Sequence, residues 1–178
     1  QPALKHLLDK IQISVNRLYH IATHDEKTGL YNHIFFKDVF ALELDKAKRG
    51  KPLSLIIVDI DYFKKVNDSH GHLRADEVLK KLAKVLEKTV RKYDILARFG
   101  GEEFFIMLPN TKAARAKSIA ERLRKAVNSN TFLKKYKITI SLGVTEYKQR
   151  DNLSKMSKRA DKALYQAKKS GRNCVKIG

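Results

Sequence analysis

The sequence contains little of what a disulfide-stabilised or membrane-spanning protein needs. Its 178 residues include one cysteine, Cys174, and no tryptophan. A single cysteine excludes an intrachain disulfide and a zinc site built from several thiolates, which suits a reducing compartment. The longest apolar run, residues 53–58 with Ser54 inside it, is too short to cross a bilayer, and no signal-peptide pattern precedes it. We expect a soluble chain in the cytoplasm, or the cytoplasmic part of a larger protein attached to a membrane through a region before Gln1.

Acidic residues are scarce relative to basic ones. There are 19 Asp and Glu against 38 Lys and Arg, which gives a formal net charge of +19. Such a field attracts nucleotides, nucleic acids and anionic membranes alike, and a lysine-rich solvated surface is the simplest explanation. Aromatic residues do not recur among the basic runs as they do on single-strand stacking platforms. We therefore expect no nucleic-acid partner.

Residues 1–24 predict a short helix ahead of the main domain. Apolar residues occupy the a and d positions of a heptad, with Ser14 the one polar exception: Leu4, Leu7, Ile11, Leu18 and Ile21. The helix is suited to signalling through pairing with a second copy, and packing on its own domain is the alternative that three heptads leave open. A polar, turn-prone stretch from Asp25 to Asn32 separates it from a single domain, residues 25–178.

The remaining pattern predicts an α/β fold with a mixed central sheet flanked by helices. Helical periodicity and end signals predict four helices: Asn32–Arg49, Leu73–Arg91, Thr111–Val127 with a Thr111 cap, and Leu153–Lys169. Apolar and β-branched runs predict five strands: Leu53–Ile60, Ile95–Phe99, Glu103–Leu108, Ile138–Val144 and Cys174–Ile177.

Two groups of carboxylates stand where packing does not require them. Asp59 and Asp61 end an apolar strand, and Gly100–Phe104 places two glycines and two glutamates between strand-like arms. For Asp61, capping of the next turn or a salt bridge to Lys64 or Lys65 is the better explanation. If the hairpin lies beside the strand, Asp59 and Glu102 meet at the sheet edge. They would offer hard oxygen ligands to Mg²⁺, as a metal-assisted phosphoryl transfer requires.

Six segments together resemble the GGDEF family of diguanylate cyclases. Gly100–Phe104 is similar to the GGEEF form of its signature, and five further segments resemble family motifs in the family's order: residues 25–32, 59–64, 67–76, 141–144 and 160–173. The resemblance covers residues 25–178. It implies a palm like that of polymerases and nucleotidyl cyclases, working as a homodimer that condenses two GTP into cyclic di-GMP and releases two pyrophosphates.

The resemblance also implies roles for the acidic residues. Asp59 and Glu102 would hold Mg²⁺ or Mn²⁺, with the Ile60 carbonyl and Glu103 as further ligands. Glu103, or Glu102 through the metal, would help deprotonate the ribose 3′-hydroxyl that attacks the other GTP.

Other positions would bind the nucleotide. Asn67 and Asp76 would read the guanine edge with His72 beside them. The triphosphate would contact the amides of Tyr62 and Phe63 and a set of cations, namely Lys64, Lys168, Arg172 and, nearby, Arg98. Taken singly, Lys168 and Arg172 are also ordinary cations at a helix C-terminus, and His72 is an ordinary residue at the start of a helix.

Arg91, Asp94 and Arg122 match the family's inhibitory site, where the cyclic di-GMP product would bind and restrain the enzyme. The alternative for Arg91 and Asp94 is a surface ion pair of little energetic consequence.

Three residues depart from the family pattern. Lys27 replaces Leu, His33 replaces Arg, and Ala75 replaces Gly. Ala75 either narrows the guanine pocket or sits on the first turn of a helix. Asp76, where some relatives have Ser, argues against relatives that also use ATP.

Two other functions compete with the cyclase. A catalytically silent GGDEF domain would sense GTP or cyclic di-GMP, but the intact Asp59, Glu102 and Glu103 disfavour it. A nucleic-acid-binding palm relative would explain the charge and would show salt-sensitive binding without turnover. The sequence lacks the G-x-x-x-x-G-K-[ST] motif of P-loop hydrolases.

Overall fold

The computed structural model describes residues 2–178, in which helices and strands alternate along the chain. The helices are α1 Pro2–Thr23, α2 His33–Lys48, α3 Phe63–Thr89, α4 Ala113–Ser129, α5 Thr131–Lys135 and α6 Leu153–Lys169. The strands are β1 Tyr31–Asn32, β2 Leu53–Ile60, β3 Ile95–Gly100, β4 Glu103–Pro109, β5 Ile140–Glu146 and β6 Val175–Ile177. All four helices and all five strands expected from the sequence are present. The bounds of β2 and α6 are as predicted, and the others have shifted ends.

The six strands form one mixed sheet in the order β1-β3-β4-β2-β5-β6. Strand β2 lies inside the sheet, antiparallel to both β4 and β5, whereas β1 is parallel to β3 and β6 is parallel to β5. Every residue of β2 is buried, as expected for a strand that is apolar on both faces. The mixed sheet with flanking helices confirms the predicted fold class.

Helices cover both faces of the sheet, so the domain has three layers. Alternate residues of β2 point to opposite faces, and each set belongs to a separate apolar core. Ile56, Val58 and Ile60 pack with α3, α4 and α5, while Leu55 and Ile57 pack with α2 and α6. Helix α6 comes so close to β5 that a Cβ on Gly143 would lie 2.6 Å from the Leu164 nitrogen. Gly143 therefore sets the distance between α6 and the sheet.

Two predicted helix starts were wrong. Helix α3 begins at Phe63 instead of Leu73 and is interrupted at Gly71, where φ is +79°. The polar segment before Gly71 buries only Phe63 and Val66, so it carries little apolar periodicity. Thr111 does not cap α4, because its hydroxyl donates to the Pro109 carbonyl. The Ala113 N–H donates instead to the Glu146 carboxylate at 2.7 Å.

Helix α1 leaves its apolar residues largely exposed in the part of the chain that the structure describes. The five predicted heptad residues are 51–66% exposed, and Thr23 is the one buried residue of the helix. The alternative in which this helix packs on its own domain is therefore wrong. Within residues 2–178, no helix combines the length and apolar character needed to cross a membrane.

Candidate active site

Strand pairing brings three carboxylate residues to one edge of the sheet. Asp59, near the end of β2, lies opposite Glu103 at the start of β4. The neighbouring Ile60 N–H donates to the Glu102 carbonyl at 3.4 Å. The hairpin of β3 and β4 thus lies beside β2, and its turn holds Glu102 and Glu103 next to Asp59.

The turn of this hairpin depends on its two glycines and on Arg98. Gly100 and Gly101 have φ values of +144° and +49°, which residues with a Cβ rarely adopt. Arg98 donates to the Gly101 carbonyl at 3.1 and 2.7 Å, and to the two carboxylate oxygens of Asp25 at 3.1 and 3.2 Å. Its guanidinium therefore holds the turn and ties it to the segment that follows α1.

Lys168, in the last turn of α6, forms an ion pair with Asp59. Its ammonium lies 2.9 Å from the Asp59 Oδ1 atom, and the Asp59 side chain is 6% exposed. Charge neutralisation of this buried carboxylate thus comes from a helix that packs on one face of the sheet, against β2 and β5. The sequence predicted both residues for the site but not that they would pair.

The pKa values of the three carboxyl groups are displaced in one direction. Burial raises the pKa of Asp59, and this effect exceeds the opposing influence of Lys168. Burial also raises the pKa of Glu102 and of Glu103, and the charge of Asp59 raises both further. The site therefore concentrates negative charge that a bound cation would stabilise.

These residues fit a magnesium site that is completed by a ligand. Asp59, Glu102 and the Ile60 carbonyl offer the hard oxygen atoms that Mg²⁺ prefers. Within residues 2–178, no three His, Cys, Asp or Glu side chains converge closely enough to form a complete metal cage. Mg²⁺ commonly binds to one or two carboxylates and takes its other ligands from water and substrate phosphates, so the donor set is adequate.

Asp61 has a structural role that differs from the one predicted. It neither caps the next turn nor pairs with Lys64 or Lys65. Its buried carboxylate accepts hydrogen bonds from the Thr139 and Ser141 hydroxyls at 2.7 Å and from the Asn173 N–H at 3.0 Å. Asp61 thus joins the end of β2 to β5 and to the loop that carries Arg172.

The residues predicted to read guanine lie on the two halves of α3. The Asn67 Oδ1 atom is buried and has no hydrogen-bond partner among the residues described. Asp76 forms an ion pair with Lys27 at 2.7 Å, and His72 is exposed after the break at Gly71.

Ala75 is buried in the apolar core, so its methyl group packs inward. Of the two explanations for Ala75, the structure favours the helical position.

The residues predicted to hold phosphates surround the N-terminus of α3. Tyr62 has a φ of +58° and no side chain caps the helix, so its first N–H groups remain open to an anion. The Arg172 guanidinium lies 4.3 Å from the Tyr62 ring centroid and donates to the Tyr62 hydroxyl at 3.1 Å. Lys64 is exposed on the first turn. The arrangement offers amides and cations on the side next to Asp59.

Comparison with known proteins agrees with this geometry. Residues 22–174 match the family described as "Diguanylate cyclase, GGDEF domain". The chain belongs to the GGDEF family. It is 38% identical over 179 residues to diguanylate cyclase A of Treponema denticola, which covers 96% of this chain and 48% of that protein. The chain therefore spans less than half the length of that relative.

Two solved structures are similar over most of the GGDEF chain. One is the coiled coil and GGDEF domain of DgcB from Caulobacter crescentus in complex with c-di-GMP, with a TM-score of 0.90 at 28% identity. It covers 99% of this chain and 96% of that one. The other is the active GGEEF domain of a diguanylate cyclase from Vibrio cholerae, with a TM-score of 0.77 at 37% identity, covering 82% and 96%.

The predicted inhibitory residues of the GGDEF domain lie together, but not as the surface ion pair that was the alternative. Asp94 accepts a hydrogen bond from the Arg91 backbone N–H at 2.8 Å, while the Arg91 guanidinium reaches the Tyr93 hydroxyl. Arg122 donates to the Thr89 carbonyl at 2.7 Å. Burial raises the pKa of Asp94, and Arg91 and Arg122 oppose the rise. A cavity of about 280 Å³ adjoins Arg91 and Asp94.

Two features of the site were missed by sequence reasoning. The Lys27–Asp76 pair joins residues 49 positions apart, and no local pattern connects them. Asp161 on α6 adds negative charge near Glu103 and raises its pKa. Its only signal was its place in a segment that resembles a family motif.

Proposed function

We propose that this GGDEF domain is a diguanylate cyclase that condenses two GTP into cyclic di-GMP and releases two pyrophosphates. The observation that carries the proposal is the meeting of Asp59, Glu102 and Glu103 at one sheet edge, where the pKa of each is raised. Such a cluster suits cation-assisted transfer of a nucleotidyl group. The names of the relatives support the same activity.

Asp59, Glu102 and the Ile60 carbonyl would hold Mg²⁺ or Mn²⁺, with Glu103 as a further ligand. The bound cation would neutralise the triphosphate and lower the pKa of the 3′-hydroxyl. The Lys168 ammonium lies 2.9 Å from the Asp59 carboxylate in the free protein. When GTP binds, the ammonium would leave Asp59 and contact a phosphate oxygen instead. Arg98 would act indirectly, by holding the turn that positions Glu102.

GTP would lie across the hairpin with its base at α3. Asn67 and Asp76 would accept hydrogen bonds from guanine N–H groups, and His72 would border the base. The amides of Tyr62 and Phe63 would bind phosphate oxygens at the N-terminus of α3. Lys64, Lys168 and Arg172 would neutralise the remaining charge.

Glu103, or Glu102 through the cation, would take the proton of the 3′-hydroxyl. The 3′ oxygen then bonds to the α-phosphorus of the facing GTP, and the bond from that phosphorus to pyrophosphate breaks. Repeating the step in the other direction closes the ring, so two domains must face each other.

Pairing of α1 helices would bring the two domains together. Its five heptad residues are 51–66% exposed in the single chain. The similar structure of DgcB contains a coiled coil beside its GGDEF domain, which supports the same role here. We place the activity in the cytoplasm, where Cys174 would stay reduced.

Incubation of the purified protein with Mg²⁺ and GTP tests the proposal. Chromatography should show cyclic di-GMP and two equivalents of pyrophosphate, and no product should form after the divalent cation is chelated. GTP or cyclic di-GMP binding without turnover would favour the silent sensor, and GDP as the product would contradict both.

Product inhibition should depend on Arg91. We propose that cyclic di-GMP binds at Arg91, Asp94 and Arg122, because two guanidinium groups and a buried carboxylate suit phosphates and guanine N–H groups. Arg91→Ala should raise the inhibitory concentration of cyclic di-GMP at least about tenfold, which corresponds to one lost charged hydrogen bond. Initial rates measured with added product would show this. Arg115→Ala, on the exposed side of α4, is the control, and equal inhibition of both variants would remove the site.

A further inference from the structure

One ion pair connects the segment after α1 to the predicted base-reading residue. The Lys27 ammonium lies 2.7 Å from the Asp76 Oδ1 atom, and the two side chains are 53% and 34% exposed. Other surface pairs, such as Lys48–Asp45, join residues three apart on one helix. Lys27 and Asp76 are brought together by the tertiary fold, and both remain open to a ligand.

The backbone at Lys27 is fixed although its side chain is exposed. The Asp25 carboxylate accepts hydrogen bonds from the Thr28 N–H at 2.9 Å and the Thr28 hydroxyl at 2.7 Å, and it also binds Arg98. The Gly29 N–H closes the turn on the Asp25 carbonyl. Lys27 therefore extends from a braced turn toward α3, so its reach to Asp76 depends mainly on its own side-chain torsions.

The pair presents a donor next to acceptors, which matches one edge of guanine. Guanine carries the acceptor O6, then the donor N1–H, then the donor 2-amino group. A lysine ammonium only donates, and an ionised aspartate only accepts. Adenine instead has an amino group in place of O6 and an acceptor at N1. The lysine donor would therefore face another donor, and the aspartate acceptor would face another acceptor.

We propose that Lys27 is a further base-specificity residue, whose ammonium donates to guanine O6 while Asp76 accepts from N1–H and the 2-amino group. The inference rests on the proposed GTP site and adds a residue to it. The Asn67 Oδ1 atom, which has no hydrogen-bond partner within residues 2–178, supplies a further acceptor on α3. Lys27 would thereby favour GTP over nucleotides that lack a strong acceptor at position 6.

Equilibrium binding of nucleotides that differ at one position tests the role of Lys27. The ligands are the 3′-deoxy forms of GTP, 6-thio-GTP and ITP, which lack the attacking hydroxyl and are not consumed. Lys27→Met should weaken GTP binding roughly three- to tenfold, the range of a charged hydrogen bond moderated by solvent. ITP keeps O6 and should lose the same factor, whereas 6-thio-GTP, with a weak acceptor, should bind nearly as before.

Two variants complete the design. Lys27→Arg retains a donor and should keep most of the preference for GTP over 6-thio-GTP. Lys48→Met removes an equally exposed lysine from an Asp pair on α2 and should change nothing. Tighter GTP binding by Lys27→Met, or an unchanged ratio of GTP to 6-thio-GTP affinity, would overturn the role of Lys27. If the unaltered protein shows no preference for 3′-deoxy-GTP over 3′-deoxy-ATP, the proposed guanine site itself fails, and Lys27 with it.

Discussion

Glu102→Gln should lower the rate of cyclic di-GMP formation by at least about 10²-fold, the usual loss when one electrostatic contact to a reacting centre is removed. The side chain lies in the hairpin turn beside Asp59, and it is one of the three carboxylates proposed to hold the cation. An amide of the same size keeps the shape but removes the charge. Product formation is measured by chromatography over a range of Mg²⁺ concentrations, since a lost ligand is partly compensated by more cation.

Stability distinguishes this loss from misfolding. A carboxyl group whose folded pKa is raised contributes stability that is fully present below its unfolded pKa and is lost as pH rises through its folded pKa. At neutral pH the Glu102 charge is therefore unfavourable to folding. Without divalent cations, Glu102→Gln should melt at the same temperature as the unaltered protein or higher. Glu43→Gln on α2 is the control with normal activity, and full activity of Glu102→Gln would refute the proposed site.

Ile11→Asp should convert the protein to an inactive monomer. Ile11 is an a-position residue of the α1 heptad and is 51% exposed in the single chain. In a paired helix it would be buried, and an uncompensated buried charge costs about 3–5 kcal/mol. Dimerisation would then weaken by at least about 10²-fold. Sedimentation velocity and specific activity at increasing protein concentration measure the two effects together.

Ile13→Asp provides a matched control for the helix. Ile13 lies on the same helix, outside the a and d positions, and is 67% exposed. The same substitution there should leave both the dimer and its activity intact, because the charge stays in water. If Ile11→Asp keeps full activity at low concentration, or if both variants lose it equally, pairing through this heptad is not what brings the two sites together.

The sequence predicted the elements of the site better than their contacts. The end of the apolar strand at Asp59 and the glycine pair before Glu102 are local signals, and both positions meet in the fold as expected. Asp61 was assigned to a neighbouring turn or lysine, yet its partners lie 78 to 112 residues away. The start of α3 was missed because its first turns are largely exposed.

Although the short β1 and α5 were not predicted, the sequence by itself determined the order of the longer helices and strands, the acidic hairpin and the apolar heptad. These follow from apolar periodicity and from backbone preferences, which act over a few residues. Only the tertiary structure decided that Lys168 neutralises Asp59, that Arg98 reaches Asp25 and that Lys27 reaches Asp76. Each of those contacts joins distant segments. Whether such charges meet depends on how strands pair and helices pack, and neither charge alone reveals its partner.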